Sequence, residues 1–487
     1  MTLHRTTTKA LPFLGLLALL TPFAEGGEKT AIKAGLVITM NGEAIENGAI
    51  VIEGGRITAV GPASEVQIPW DADVHDHPDM TAFPGFVEAH VSSGMDRPNE
   101  TVSVAPFLNI RDSIDPVNFY FQDSLRWGVT TMNVQQGNGC VIGAQGMVVK
   151  PHGMTVEAMV VRPGSGLKMS ASPKSGNSRA TQAHALRRSF EDLRLHLEKL
   201  VQEKRDGDDR ARREALYQGR DLSGEKAKGK VMGGVSWKVD GLELVPRGEI
   251  EEKFEPLLDI VEGKLPVWFY CGAPMDVETA LDVARENGFL HRTTLVLDDS
   301  CWKAADEIAA AGVSVVLDSN LVHVESHPVT GKEKETVVPK VFGKKDIPFA
   351  FASSNSSTQS LWYQAAIATG LGLSRADALA AVTTVPAEML GLQNRVGKLA
   401  AGYDGNVLLL SGDPLSITSF VEYVVLEGDV VYDRSKDIRA KHLLEGVAQP
   451  NTMAEDENAD GTPAAEEKDT AHDDDDEKDE SKDEDSK

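Results

Sequence analysis

The chain has 487 residues, 41% hydrophobic and 25% charged, an ordinary balance for a folded protein that excludes a wholly disordered one. Its length suits one large domain with a smaller companion. The formal net charge of −26 excludes nucleic acid as a partner, because phosphate binding needs clustered Lys and Arg.

Residues 1–26 read as an export signal. Arg5 and Lys9 form a basic start, and Ala10 to Phe23 is an apolar run too short to span a bilayer comfortably. Ala24-Glu25-Gly26 offers a small-x-small cleavage site. The expectation is an exported protein, periplasmic or secreted, with no stable membrane insertion once the signal is removed.

Residues 27–83 carry short strands, clearest at Leu36 to Thr39, Ala49 to Glu53 and Arg56 to Val60. Gly54-Gly55 between the last two is a two-residue hairpin signal, since both positions tolerate positive φ. From Pro84 to about residue 393 strands alternate with helices, the pattern of parallel βα units. Candidate strands are Phe86 to His90, Gly128 to Val134, Pro266 to Cys271, Thr294 to Leu297, Val313 to Leu317 and Phe349 to Ala352. Helices are expected at Val277 to Glu286, Trp302 to Ala311 and Leu361 to Thr369. Units at this spacing favour a closed TIM-type (β/α)8 barrel. An insertion at about 178–219 interrupts them. Its Leu186, Phe190, Leu193, Leu197 and Leu200 recur at steps of three and four, giving a long amphipathic helix that packs on the barrel or on a partner subunit.

Residues 394–440 return to strands, at Asn406 to Leu410, Tyr423 to Glu427 and Val430 to Tyr432. A β-rich start and end suit one small β-sandwich domain built from both ends of the chain. Residues 441–487 form an acidic tail. From Ala454 onward 17 Asp or Glu face 4 Lys or Arg, half the net charge in a stretch with almost nothing to bury. The three cysteines, Cys140, Cys271 and Cys301, make no disulfide framework. A bridge between Cys271 and Cys301 and a set of buried free thiols both stay open, the second being simpler.

Several phrases together resemble the amidohydrolase superfamily, and its imidazolonepropionase-like branch in particular. They are AIVIEGGRITAVGP, FPGFVEAHVSSG at Phe83 to Gly94, IGAQGMVVK at Ile142 to Lys150, GLKMSASP at Gly166 to Pro173, and TTVPAEMLGLQNRVGKLAAGYDGNVLLLSGDPL at Thr383 to Leu415. Their order runs from about Ala31 to Tyr432. The resemblance implies a barrel with its site at the C-terminal strand ends and a β-sandwich beside it. It also implies hydrolysis of C–N bonds by water bound to one or two divalent metals, zinc, iron or manganese.

The residues that match the family's metal positions depart from that chemistry. Its His-x-His on strand one is here His90-Val91-Ser92, and a hydroxyl is a poor ligand beside an imidazole. Strand five carries Trp268 and Tyr270 and no His. Strand six places Leu297 at its His position, next to Asp298 and Asp299. Strand eight places Ser354, beside Asn355, where an Asp should bind metal and act as base. A lysine expected on strand four is assigned to Lys238. Only His90 is kept, so the metal is expected to be absent and no catalytic residue is assigned. A rebuilt site would draw on Asp298, Asp299, His323 and His327. The last two sit in a polar stretch that reads as a solvated turn; His75, His77 and His152 read as surface residues.

The expectation is a degenerate amidohydrolase that binds a small molecule or partners an active paralogue. Ser92, Trp268, Tyr270, Leu297 and Asn355 would line its pocket, with Trp302 adding aromatic surface, and the glycine-rich loop Gly137 to Gly146 suggests that a pocket persists. The alternatives are an active hydrolase with a single or rebuilt metal site, and an oligomeric scaffold that uses the long helix, as a homo-oligomer or heteromer.

Overall fold

A computed structural model describes residues 29–217, 230–231, 238–239, 242, 245–318, 320–353 and 360–445. The export signal, Ser354, Asn355, the Lys238 side chain and the acidic tail from residue 446 onward lie outside the described residues. The chain divides after Ser435, and of the second unit only the start is described, including a helix at Ile438–Glu445. Among the described residues no helix is long and apolar enough to cross a membrane.

Seven strands from both ends of the first unit form one sheet. Its order is Asp429–Asp433, Val421–Leu426, Val407–Leu410, Asp73–Pro84, Lys29–Val37, Ile45–Glu53, Arg56–Pro62. Strands from both ends of the chain join in it as expected, in one continuous ladder, where Leu408 opposite Phe83 links the late strands to the early ones. Gly54 and Gly55 take φ of 56° and 79° and close the predicted hairpin. Ile32, Ile50, Ile52, Val407 and Leu409 share its core. Two arginines pin it further: Arg56 lies 2.7 Å and Arg395 2.9 Å from the fully buried carboxylate of Asp404.

A second sheet makes the TIM-type barrel. Its eight strands in order are Phe86–Val91, Val129–Val134, Ile142–Val149, Val160–Ser170, Val267–Cys271, Thr293–Leu297, Ser314–Leu317 and Phe349–Phe351. The third runs antiparallel to both neighbours. The cause is chain length: only residues 135–141 link the second strand to the third, too few for a crossover helix, so the chain must double back. The first and eighth strands share no ladder. The seam is bridged by Val87 donating to Val382 O at 2.9 Å and Phe351 donating to Ala381 O at 3.2 Å. Val87, Trp268, Val296, Val316 and Ala350 fill the lumen, and Leu390, Leu392 and Val396 pack against them. Gly85, between the sheet and the first barrel strand, is fixed by close approach, since a Cβ there would sit 2.0 Å from Thr130 Oγ1.

The amphipathic insertion is a helix, Arg179–Tyr217. Leu186, Phe190, Leu193 and Leu197 are buried in the core of the same chain, with Phe190 stacked on Phe289 at 5.5 Å. The apolar stripe therefore faces the barrel. Leu193→Ala should lower unfolding free energy by about 2–5 kcal/mol in urea titrations, the usual range for a deleted core leucine; a change under about 0.5 kcal/mol would mean that this stripe is not core.

Candidate functional site

The mouth of the barrel gathers a group of polar side chains from strands far apart in sequence. His90 is the penultimate residue of the first strand and Lys168 lies on the fourth, and both are buried. Lys168 Nζ is 2.7 Å from His90 Nε2. Asp318 follows the seventh strand, and its Oδ1 is 3.7 Å from His90 Nδ1. The Tyr270 ring, on the fifth strand, lies 5.7 Å from Lys168 Nζ. Asn138 donates to Asp318 Oδ2 at 3.4 Å.

Protonation follows from burial. Lys168 is pushed down to about 8 by loss of solvent, with Asp318 opposing the shift. It is therefore mainly an ammonium at pH 7. Burial, and then Lys168, lower His90, so the imidazole is neutral. An ammonium has no lone pair, so Lys168 donates and Nε2 accepts. The ring proton must then sit on Nδ1, which faces Asp318 and has no partner within hydrogen-bond distance.

Glu88 sits two residues before His90. Burial raises it to about 8, so it is largely protonated at neutral pH. The Ser353 backbone N–H, after the eighth strand, donates to both its oxygens at 3.0 and 3.2 Å. Tyr120 Oη lies 3.0 Å from Ser353 Oγ. Glu88 thus fastens the first strand to the end of the eighth, across the seam that lacks a ladder.

The metal implied by the family resemblance does not fit the described residues. A metal needs neutral imidazoles and carboxylates with free lone pairs. The Nε2 lone pair of His90 is taken by a cation, and Nδ1 carries the proton. Among the described residues no three His, Cys, Asp or Glu side chains form a group able to hold an ion.

The other residues named from the sequence fall as follows. Ser92 is half-buried in the loop after the first strand. Leu297 is packed in the main hydrophobic core, and Trp268 is buried in the lumen, donating to Ser165 O at 3.1 Å; neither lines the mouth. Tyr270 does reach it. Asp298 caps the short helix Asp299–Ala304. His323 lies on a strand, Val322–Ser326, paired with Glu333–Val337, not in a solvated turn. Its Nδ1 is 3.1 Å from Asp299 Oδ1, so two of the four rebuilt-site candidates do meet. His327 accepts from Val329 and Thr330 N–H groups and only shapes the turn. The loop glycines have a packing cause: a Cβ on Gly146 would sit 2.1 Å from Gln135 Nε2, and one on Gly143 2.6 Å from Gln136 Oε1. They do not by themselves mark a pocket. The three cysteines are buried free thiols, and Cys301 Sγ donates to Cys271 O at 3.2 Å.

Lys168, Asp318, Glu88, Tyr120 and Ser353 were missed as site residues. Lys168 stood inside GLKMSASP, on the true fourth strand, while the lysine of that strand was sought at Lys238. A lone Lys among strand residues buried on both sides was the available signal.

Comparison with known proteins agrees with this architecture. A model described as the amidohydrolase family matches residues 363–432, and one for the bacterial imidazolonepropionase-like composite domain matches residues 48–67. The chain is 24% identical over 425 residues, 79% of its length, to amidohydrolase tasK of Hapsidospora irregularis, 40% of which is covered. It is 40% identical over 68 residues, 14% of its length, to a 5-methylthioadenosine/S-adenosylhomocysteine deaminase of Moorella thermoacetica, 16% of which is covered. The chain thus spans two fifths or less of the curated relatives it matches. A solved amidohydrolase from Thermotoga maritima aligns with TM-score 0.62 and 21% identity, covering 83% of this chain and all of that one. That likeness shows the fold.

The Glu88 carboxyl yields a pH test. Its folded pKa lies above the ordinary carboxyl value, so between about pH 4.5 and 8 the folded state holds a proton that the unfolded chain releases. Its contribution to stability is present at low pH and lost as pH rises through that window. Glu88→Gln, which can still accept from Ser353, should gain stability over the parent from pH 5 to 8 in parallel thermal melts. Parallel curves would show that Glu88 is charged in the folded state.

Proposed function

We infer that this chain, which belongs to the amidohydrolase superfamily in its imidazolonepropionase-like branch, is a metal-free member that binds a small molecule at the barrel mouth. Superfamily membership supports hydrolysis of C–N bonds as the inherited chemistry. The observation that supports its loss here is the contact of Lys168 Nζ with His90 Nε2 at 2.7 Å. A protein-borne ammonium occupies the lobe of the imidazole through which a metal would bind. No step of metal-assisted hydrolysis is assigned to these residues.

The same contact supports binding. A buried ammonium costs stability unless fully paired, and Asp318 does not touch Lys168 directly. Groups held at such cost gather at functional sites. With Tyr270 beside it, Lys168 suits a ligand that carries a carbonyl or carboxylate oxygen. We further propose that the protein is exported and that it works alone or as partner to an active paralogue.

Metal analysis of the purified chain tests this reading. Zinc, iron and manganese should each stay well below one per chain after growth in supplemented medium, and amide or cyclic-urea substrates should not be hydrolysed. A stoichiometric ion that disappears in His90→Ala, together with hydrolysis, would restore the active-hydrolase reading. Stability offers an independent check. The folded pKa of Lys168 is depressed, so its cost is fully present below about pH 8 and fades as pH rises toward 10.5. Lys168→Met should therefore be more stable than the parent at pH 7, with the gap closing above pH 8. A variant less stable at pH 7 would make Lys168 a structural tie.

A further inference from the structure

At the opposite end of the barrel, beneath the N-terminal strand ends, lies a cleft of about 330 Å³. Arg162, His291, Arg292, Thr294, Ser314 and Glu388 line it. Arg162 sits near the start of the fourth strand, while Arg292, Thr294 and Ser314 lie at the starts of the sixth and seventh. His90 and Lys168 are toward the other ends of their strands, so this cleft is separate from the mouth.

The charge of the cleft is unusual for this chain. Acidic residues outnumber basic ones 75 to 49 overall, yet two guanidiniums face one space here without an acidic partner. Among the described residues neither Arg162 nor Arg292 has a carboxylate within ion-pair distance. Arg162 donates to the Leu390 carbonyl, and Arg292 donates to Lys264 O at 3.1 Å. These backbone contacts hold the side chains in place but do not neutralise them. Arg292 Nε is shut off from solvent with no hydrogen-bond partner. Burial, and then the Arg292 charge, lower the Arg162 guanidinium, the signature of like charges sharing a poorly solvated space. Thr294 Oγ1 and Ser314 Oγ, 3.2 Å apart, add hydroxyl donors at the same strand starts.

Two preorganised guanidiniums, an imidazole and two hydroxyls are the donor set of an oxyanion site. Grouping the cations in one cleft concentrates their field there, which favours an anion locally against the negative net charge of the chain. We propose that the cleft beneath the barrel binds a small oxyanion, a phosphate or carboxylate group borne by a metabolite or free in solution, through Arg162 and Arg292.

Calorimetric titration of the full chain with inorganic phosphate, and separately with acetate, tests this. Phosphate should bind, and Arg162→Gln and Arg292→Gln should each weaken it by about tenfold or more, as expected for loss of a charge-assisted pair. Glu388→Gln removes the one carboxylate on the rim and lies on an exposed position of the helix Thr384–Met389, so it should fold normally and tighten phosphate about two- to fivefold. Phosphate stronger than acetate assigns the site to phosphoryl groups, and the reverse to carboxylates. Absence of binding at millimolar phosphate, or affinities unchanged in the arginine variants, overturns the proposal. If an arginine variant misfolds, Glu388→Gln decides: an unchanged affinity rejects the site. Each titration is repeated in Lys168→Met, which lacks the ammonium proposed to bind at the mouth: anion binding that persists there belongs to this cleft, and binding that vanishes there belongs to the mouth and overturns the proposal.

Discussion

The 2.7 Å contact between Lys168 and His90 constrains the chemistry of the whole barrel mouth. An imidazole has one lone pair to give in its neutral form. When an ammonium takes it, the ring can neither bind a metal through that nitrogen nor change tautomer freely. The proton on Nδ1 then points at Asp318, whose carboxylate lies too far for a hydrogen bond yet close enough to hold the Lys168 charge up against burial. Three side chains from strands one, four and seven therefore form one electrostatic unit. Removing any one changes the protonation of the others, because in a poorly solvated interior their charges are felt strongly.

The scaffold explains how such a unit can be held. Strands one and eight do not pair, so a seam without a ladder runs beside His90. Glu88 spans that gap through Ser353, and the Ala381–Val382 backbone spans it lower down. A carboxyl kept neutral by burial is well suited to the upper tie, since it adds no negative charge near Asp318. Apolar packing in the lumen under the mouth, from Val87, Trp268, Val296 and Val316, keeps water from relieving the cost of the buried ammonium. Rigidity and electrostatic strain at this site have a common origin.

Much of the fold was legible along the chain because its signals are local. PVWFYC announced a strand buried on both faces, and Leu186, Phe190, Leu193 and Leu197 announced a helix with one apolar stripe. The strand Asp73–Pro84 was hidden because its His75, Asp76, His77 and Pro78 break the apolar alternation; only its last four residues are buried. The reversed third strand depends on the length of one short loop, which does not show in hydrophobic period. The site was far less legible. Departures from the family's ligand pattern could be counted, but the partner of His90 could not be named, because Lys168 meets it across 78 residues of sequence. His323 and Asp299 pair for the same kind of reason, through a hairpin that reads as a polar turn.

The chain carries an excess of acid in its sequence, and among the described residues three cations without an ion pair, Lys168, Arg162 and Arg292, sit at the barrel's two ends. Lys168 lies at the upper end and Arg162 with Arg292 at the lower. A cation in a chain of net charge −26 has many acids within reach on the surface, and most surface Lys and Arg here do find one. These three lack a touching carboxylate because of where they lie: Asp318 at the mouth and Glu388 on the rim of the lower cleft are near them but form no ion pair with them. On the readings proposed above, a buried ammonium at one end and two guanidiniums at the other each favour an anionic group. The same placement of charge bears on what kind of ligand each end of the barrel is proposed to accept.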